Sequence, residues 1–258
     1  ILTSYYFFLD IEFKPGDPTI MYGADKGSGY AKYVSRSTDS GANWTDISLP
    51  GSNATRTEIA VSANNPSVVY AHSTSGMEGL YKSTDSGASY SLIYSVGGGG
   101  NNLLGYDCAD VGSTGQGDYD VFLTANPNDA NDVYAGGINV WRTTNGGTTW
   151  AIKSHWSGTC SSTVNTVHAD QHCCEFHPGT NDVYIGNDGG IYKSSDNGSN
   201  WTDLSNGLVI NQIYRLGVAA QSSEEVIIGL QDNGTHLYSG GSWVLDGVMG
   251  GDGMECFI

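Results

Sequence analysis

Four stretches of this chain share one rhythm: an apolar run, a Pro/Asn-rich polar break, then a second apolar run carrying tyrosine. They read EFKPGDPTIMYGA, AVSANNPSVVYAH, FLTANPNDANDVYAG and CEFHPGTNDVYIG. Apolar runs this short, bounded by Gly, Pro, Asn and Asp, predict β-strands joined by tight turns. Each time a third strand and a polar turn follow, then a fourth strand opening on an aromatic residue. In the clearest unit the four strands are HADQHCCEF, DVYIGN, GIYKSS and NWTDLS. A fifth unit, LGVAAQSSEEVIIGLQDNG, lacks the polar turn but keeps Trp243 near the expected place. Four-stranded antiparallel units recurring every 40–50 residues or so predict an all-β chain, a β-propeller.

The polar turn is itself a repeat. STDSGANW (37–44), STDSGASY (83–90), TTNGGTTW (143–150) and SSDNGSNW (194–201) align on Asp39, Asp85, Asn145 and Asp196, spaced 46, 60 and 51 residues apart. A carboxylate or amide there can accept bonds from its own turn's N–H groups. The glycine two residues on supplies a positive φ. Trp44, Tyr90, Trp150 and Trp201 are expected to open strand four and pack on a neighbouring sheet. Turn chemistry explains the run fully, so it is read as scaffold. The pattern S-x-D-x-G-x-x-W is similar to the Asp-box, or BNR, motif of sialidases, sortilin-type propellers and xyloglucan hydrolases. The whole chain is read as one propeller of about five blades. The approximate units are 1–55, 56–110, 111–165, 166–210 and 211–249, with 250–258 opening a further one. Asp252 to Cys256 mirrors Asp170 to Cys174, and this surplus opening strand implies part of a larger propeller of seven to ten blades.

Composition narrows the partners. Ten Lys and Arg face 27 Asp and Glu, a formal charge of −17. Such a surface repels nucleic acid and anionic membrane. It suits neutral glycans, cations or basic proteins. No stretch approaches the roughly 18 apolar residues of a membrane span, and YYFFL at 5–9 lacks the basic flank of a signal peptide. The chain is therefore expected to be a mature or trimmed form. Of five cysteines, Cys108 and Cys160 fall in loop-like text and suit a disulfide, whereas Cys173 and Cys174 read as buried small side chains. An odd count leaves at least one cysteine unpaired within the chain.

Antiparallel strand order puts the repeated turns on one side of the disc and the 2–3 hairpins and blade connections on the other. The irregular text at 95–118 and 153–166 falls on that second side, where function is expected. Asp188 and Asp232 sit in successive 2–3 hairpins, and Asp170 and Asp252 open equivalent first strands. These four are the catalytic candidates, expected around one channel mouth, and their alternative role is turn formation. Asp118 and Asp120 in QGDYD occupy a similar entrance. Carboxylates there suit calcium or the acid/base pair of a glycosidase. In HADQH, strand alternation would point His168, Asp170 and His172 one way, a candidate metal set beside the plainer reading of a hydrogen-bonded network. Trp156 and Tyr106 are the candidate sugar-stacking rings, and Trp141 is assigned to the core.

The stretch 116–258 resembles large secreted bacterial surface proteins with sortilin-like propellers and type IX secretion. QGDYDVFLTANP, VYAGGINVWRTTNGGTTW, VHADQH, LQDNGT and GGDGME carry that resemblance. It implies an extracellular or cell-surface location and further blades or domains on the same polypeptide. The leading expectation is a binding or adhesion module for glycan or protein. Its rivals are a purely structural scaffold and a glycoside hydrolase acting on a neutral β-glucan. In the xyloglucan-hydrolase family an Asp of a glycine-rich 2–3 hairpin acts as base, and the resemblance of NDGGIY implies that place for Asp188. The second family carboxylate lies in W-M-x-x-L-x-I-D-P text, which is absent here. A sialidase needs an arginine triad; Arg36, Arg56, Arg142 and Arg215 do not supply one, since Arg36 and Arg142 precede repeated turns.

Overall fold

The computed structural model describes residues 8–26, 32–74, 79–95, 99–108, 115–160, 163–208, 211–222, 224–231, 233–245 and 251–253. Its described regular structure is strand, in five four-stranded antiparallel sheets. The first sheet holds β1 (Phe8–Phe13), β2 (Met21–Asp25), β3 (Tyr33–Ser37) and β4 (Thr45–Ser48). The second holds β5 (Thr57–Val61), β6 (Val69–Ser73), β7 (Gly79–Ser83) and β8 (Ser91–Tyr94). The third holds β9 (Phe122–Ala125), β10 (Val133–Gly136), β11 (Val140–Thr143) and β12 (Ala151–Ser154). The fourth holds β13 (Gln171–Phe176), β14 (Val183–Asn187), β15 (Gly190–Ser194) and β16 (Thr202–Asp203). The fifth holds β17 (Ile213–Val218), β18 (Val226–Leu230), β19 (Thr235–Ser239) and β20 (Ser242–Leu245). Strands follow chain order within every sheet, so each is a meander. Two compact units result: Ile1–Asn206 with four sheets, and Gly207–Ile258 with the fifth.

In the first unit the opening strands are neighbours, β1 beside β5, β5 beside β9 and β9 beside β13. One position of each of β5, β9 and β13 buries onto the preceding blade. Ile59 joins Tyr22, Ala24 and Val34; Leu123 joins Ala60 and Leu80; Cys174 joins Phe122, Tyr134 and Val140. These three are 1 %, 6 % and 3 % exposed, whereas Ile11 is 47 % exposed. Ile11 holds the same register, pairing with Gly23 as Ile59 pairs with Ala71. Leu9 and Phe13 are exposed on the same face of β1.

The repeated turns are built alike. Asp39, Asp85 and Asp196 accept the N–H four residues on at 2.8, 2.9 and 2.8 Å, and Asn145 does so at 3.0 Å. The hydroxyl two residues earlier donates to the same side chain and accepts the N–H of the following glycine. Two successive residues take positive φ in each: Ser40–Gly41, Ser86–Gly87, Gly146–Gly147 and Asn197–Gly198. Strand four starts one residue past the aromatic, not on it. The indole is engaged in closing the corner: Trp44 and Trp150 donate to the carbonyls of Gly41 and Gly147. Trp201 donates instead to Lys153 of the preceding blade at 3.1 Å. Corners also press on that blade directly: a Cβ on Gly87 would lie 2.5 Å from the Tyr22 ring. Arg36 secures the same junction by donating to the Ser86 carbonyl.

Cys108 and Cys160 form a disulfide with Cα atoms 4.8 Å apart. Cys174 is buried as expected, but Cys173 is exposed. A bulge between Gln171 and Cys173 breaks the alternation of β13 there. Cys256 and Asp232 lie outside the described residues.

Candidate functional site

The hairpin joining β14 to β15 carries Asp188 and is tied to the segment that opens β13. Asp188 N–H donates to the Asp170 carbonyl at 3.3 Å. Asn187 donates to the carbonyl of His168 and to the Gln171 side chain. Gly189 has no room for a side chain, because the His168 ring would lie 2.3 Å from its Cβ. Fixed in this way, both Asp188 oxygens meet donors or potential donors. His172 Nε2 lies 2.7 Å from Oδ1, and the Tyr119 hydroxyl donates to Oδ2 at 2.8 Å. Tyr119 and His172 also meet edge to face, 5.2 Å between centroids. Gln116 donates to Asp170, whose φ is +62°.

Asp120 lies beneath this group with no exposed surface. Neither of its carboxylate oxygens has a hydrogen-bond partner among the described residues. Burial, with Asp170 and Asp188 adding like charge, pushes its carboxyl up to about 8. Asp120 is thus not the rim residue that QGDYD suggested. Residues 118–120 turn rather than extend, so alternate residues there do not share a face. Asp118 is exposed; it accepts the Thr55 hydroxyl, and its carbonyl accepts Lys26.

The metal reading of HADQH is corrected. His168 and Asp170 precede β13 and do not alternate with His172. Among the described residues no three His, Cys, Asp or Glu side chains gather to hold a metal ion. His172 instead partners Asp188. Tyr119 and Gln116, which grip the two aspartates, were missed in the sequence. Their only signal is adjacency to Asp118 and Asp120. Asp170 and Asp188 come together through the bond from Asp188 N–H to the Asp170 carbonyl. Within the second unit, Asp252 bridges to Gly234 in the connection from β18 to β19.

The aromatic pair is fixed from the hairpin between β10 and β11. Asn139 on that hairpin donates to the Gly105 carbonyl at 3.1 Å and accepts the Trp156 N–H at 2.9 Å. The Trp156 indole donates to the Tyr106 carbonyl at 2.9 Å. Both rings stay open to solvent, Tyr106 48 % and Trp156 43 % exposed. The Cys108–Cys160 disulfide closes the two loops just beyond them. The same hairpin reaches the acidic group, since Gly137 accepts the Gln171 N–H at 2.8 Å. Trp141 on β11 is buried, as core.

No family model and no curated protein matches the chain. Solved structures do. The GH74 enzyme of Niastella koreensis aligns at 16 % identity and TM-score 0.57, over 92 % of this chain and 38 % of that one. The GH74 xyloglucanase from Xanthomonas campestris aligns at 18 % and 0.52, over 96 % and 39 %. A chain of a nidogen/laminin complex aligns at 10 % and 0.53, over 89 % and 74 %. The chain thus spans less than two fifths of those GH74 enzymes. At such identities the likeness is one of fold, and with the five meander sheets it makes this an all-β chain of the β-propeller type.

Proposed function

We propose that the protein is a secreted or cell-surface β-propeller that binds a neutral glycan, of the β-glucan class, through the rim carrying Tyr106 and Trp156. The observation that carries this reading is the exposed aromatic pair, locked by the indole bond before any ligand arrives. Pre-ordered rings lose little entropy on stacking against a sugar. A charge of −17 disfavours an anionic glycan. The disulfide supports an oxidising compartment. The glycan-directed GH74 propellers support the ligand class. The four repeated corners support kinship with Asp-box, sortilin-like propellers of large bacterial surface proteins. The test is retardation in native gels cast with xyloglucan or hydroxyethyl cellulose. Wild type is expected to be retarded more than Trp156→Ala; equal retardation of the two, or mobility of both unchanged by polysaccharide, sinks the reading.

A second reading, hydrolysis of the bound glucan, rests on Asp188. Asp188 is aimed by Tyr119 and His172 as a base would be. Reducing-end release that disappears in Asp188→Asn supports it. An inert wild type that still binds polysaccharide leaves the binding module alone standing.

A further inference from the structure

We infer that a second site for an uncharged sugar lies in the groove between the second and third blades, sharing no residue with the Tyr106–Trp156 pair. The groove encloses about 440 Å³, within the range of small-ligand pockets. One wall is β8 from Leu92 to Tyr94, continued through Ser95; the other is the third blade's corner, Thr148 to Trp150, and Asn101 also lines the groove. Tyr94 and Trp150 meet at 63°, their centroids 6.3 Å apart. Their polar ends are already engaged: the Tyr94 hydroxyl donates to the Asn101 carbonyl, and the Trp150 indole donates to Gly147. Gly100 lies against the Tyr94 ring so closely that a Cβ there would sit 2.5 Å away. The rings are therefore positioned without a ligand, which lowers the entropy cost of binding one.

The polar lining names the ligand class. No Asp, Glu, Lys or Arg is among the lining residues. Thr149 accepts a bond from the Asn145 amide at 2.7 Å, so its own proton remains to be donated outward. Thr148 and Asn101 add a hydroxyl and an amide. Apolar ring surface beside hydroxyl and amide groups, with no charge, matches a pyranose, with its C–H face and its ring of hydroxyls. Between the first and second blades, β4 runs to β5 through a much shorter connection than the one from β8 to β9. Beyond β8, Gly100 N–H donates to the Ser95 carbonyl.

The test follows indole N–H resonances while the whole chain is titrated with cellohexaose, laminarihexaose, maltohexaose or a hexagalacturonate. At least one neutral hexasaccharide is expected to shift the Trp150 indole saturably, and the hexagalacturonate is not. The shift persists in Trp156→Ala and weakens at least tenfold in Thr148→Arg, which crowds the exposed lip and leaves the corner's N–H bonds in place. A Trp150 signal that no neutral sugar moves, or that Thr148→Arg leaves unaltered, overturns the groove. Movement of Trp156 alone keeps the rim and removes the groove; movement of Trp150 alone does the reverse.

Discussion

Asp120 carries a proton at neutral pH because burial, then Asp170 and Asp188, disfavour its charge. Its folded pKa is about 8, above the unfolded value near 4. The folded state therefore holds the extra proton across that window, and stability declines as pH rises through it. Asp120→Asn should raise Tm at pH 8 by roughly 4 °C or more, with the gain shrinking toward zero near pH 4. A gain independent of pH would contradict this origin. In the sequence QGDYD marks an acidic spot but not its depth. Depth is set by Gln116 and Thr74 folding the loop over, with Tyr119 N–H donating to Gln116 and Thr74 donating to Gly117. The exposed Trp156 was legible because its Ser/Thr/Gly surroundings offer no core to enter.

The repeated corner is the element most fully written in the sequence. Each Asp or Asn, its hydroxyl partner and its glycine act locally, so eight residues determine the geometry. What the eight letters hide is that the corner also clamps the preceding blade. Gly87→Ala should cost about 3 kcal/mol, since positive φ and the approach to Tyr22 both oppose a methyl group. Gly51→Ala, at a similar φ in open space, should cost only about 1 kcal/mol. Equal costs by denaturant titration would mean the corner does not bear on its neighbour. The opening strands make the same point about packing. Ile59→Asp should abolish folding or cost more than about 3 kcal/mol, and Ile11→Asp should cost under about 1 kcal/mol, because only Ile59 is covered. The HADQH segment was misread for a related reason. Period-two reasoning holds only inside a regular strand, and here a positive-φ Asp170 and a bulge precede it.

Across the molecule, carboxylates pull stability in two directions. Burial raises Glu12 and Glu58 to about 7, with Asp10 the largest neighbouring charge for each. For Glu58 this outweighs its 2.7 Å ion pair with Arg56. Both groups weaken the fold as pH climbs from about 4 through 7. In the corners, bonds from the Asn43, Ser89 and Asn200 side chains hold Asp39, Asp85 and Asp196 low, Asp85 at about 2. Their contribution is present above the unfolded value and disappears as pH falls through the folded one. Tm should therefore peak near about pH 4–5 and fall toward pH 9; a steady rise from pH 5 to 9 would refute this balance. The central division is between corner bonds that hold the blades and the Tyr106–Trp156 rim that meets the glycan. Isothermal titration of xyloglucan oligosaccharide into Trp156→Ala, with Trp201→Ala as control, tests it most directly. Trp156→Ala should lose the rim component of the binding isotherm, leaving only the groove's, at unchanged Tm, and Trp201→Ala should lose Tm while the folded fraction keeps its affinity; a full wild-type isotherm in Trp156→Ala, or loss of binding through Trp201→Ala alone, would contradict the account.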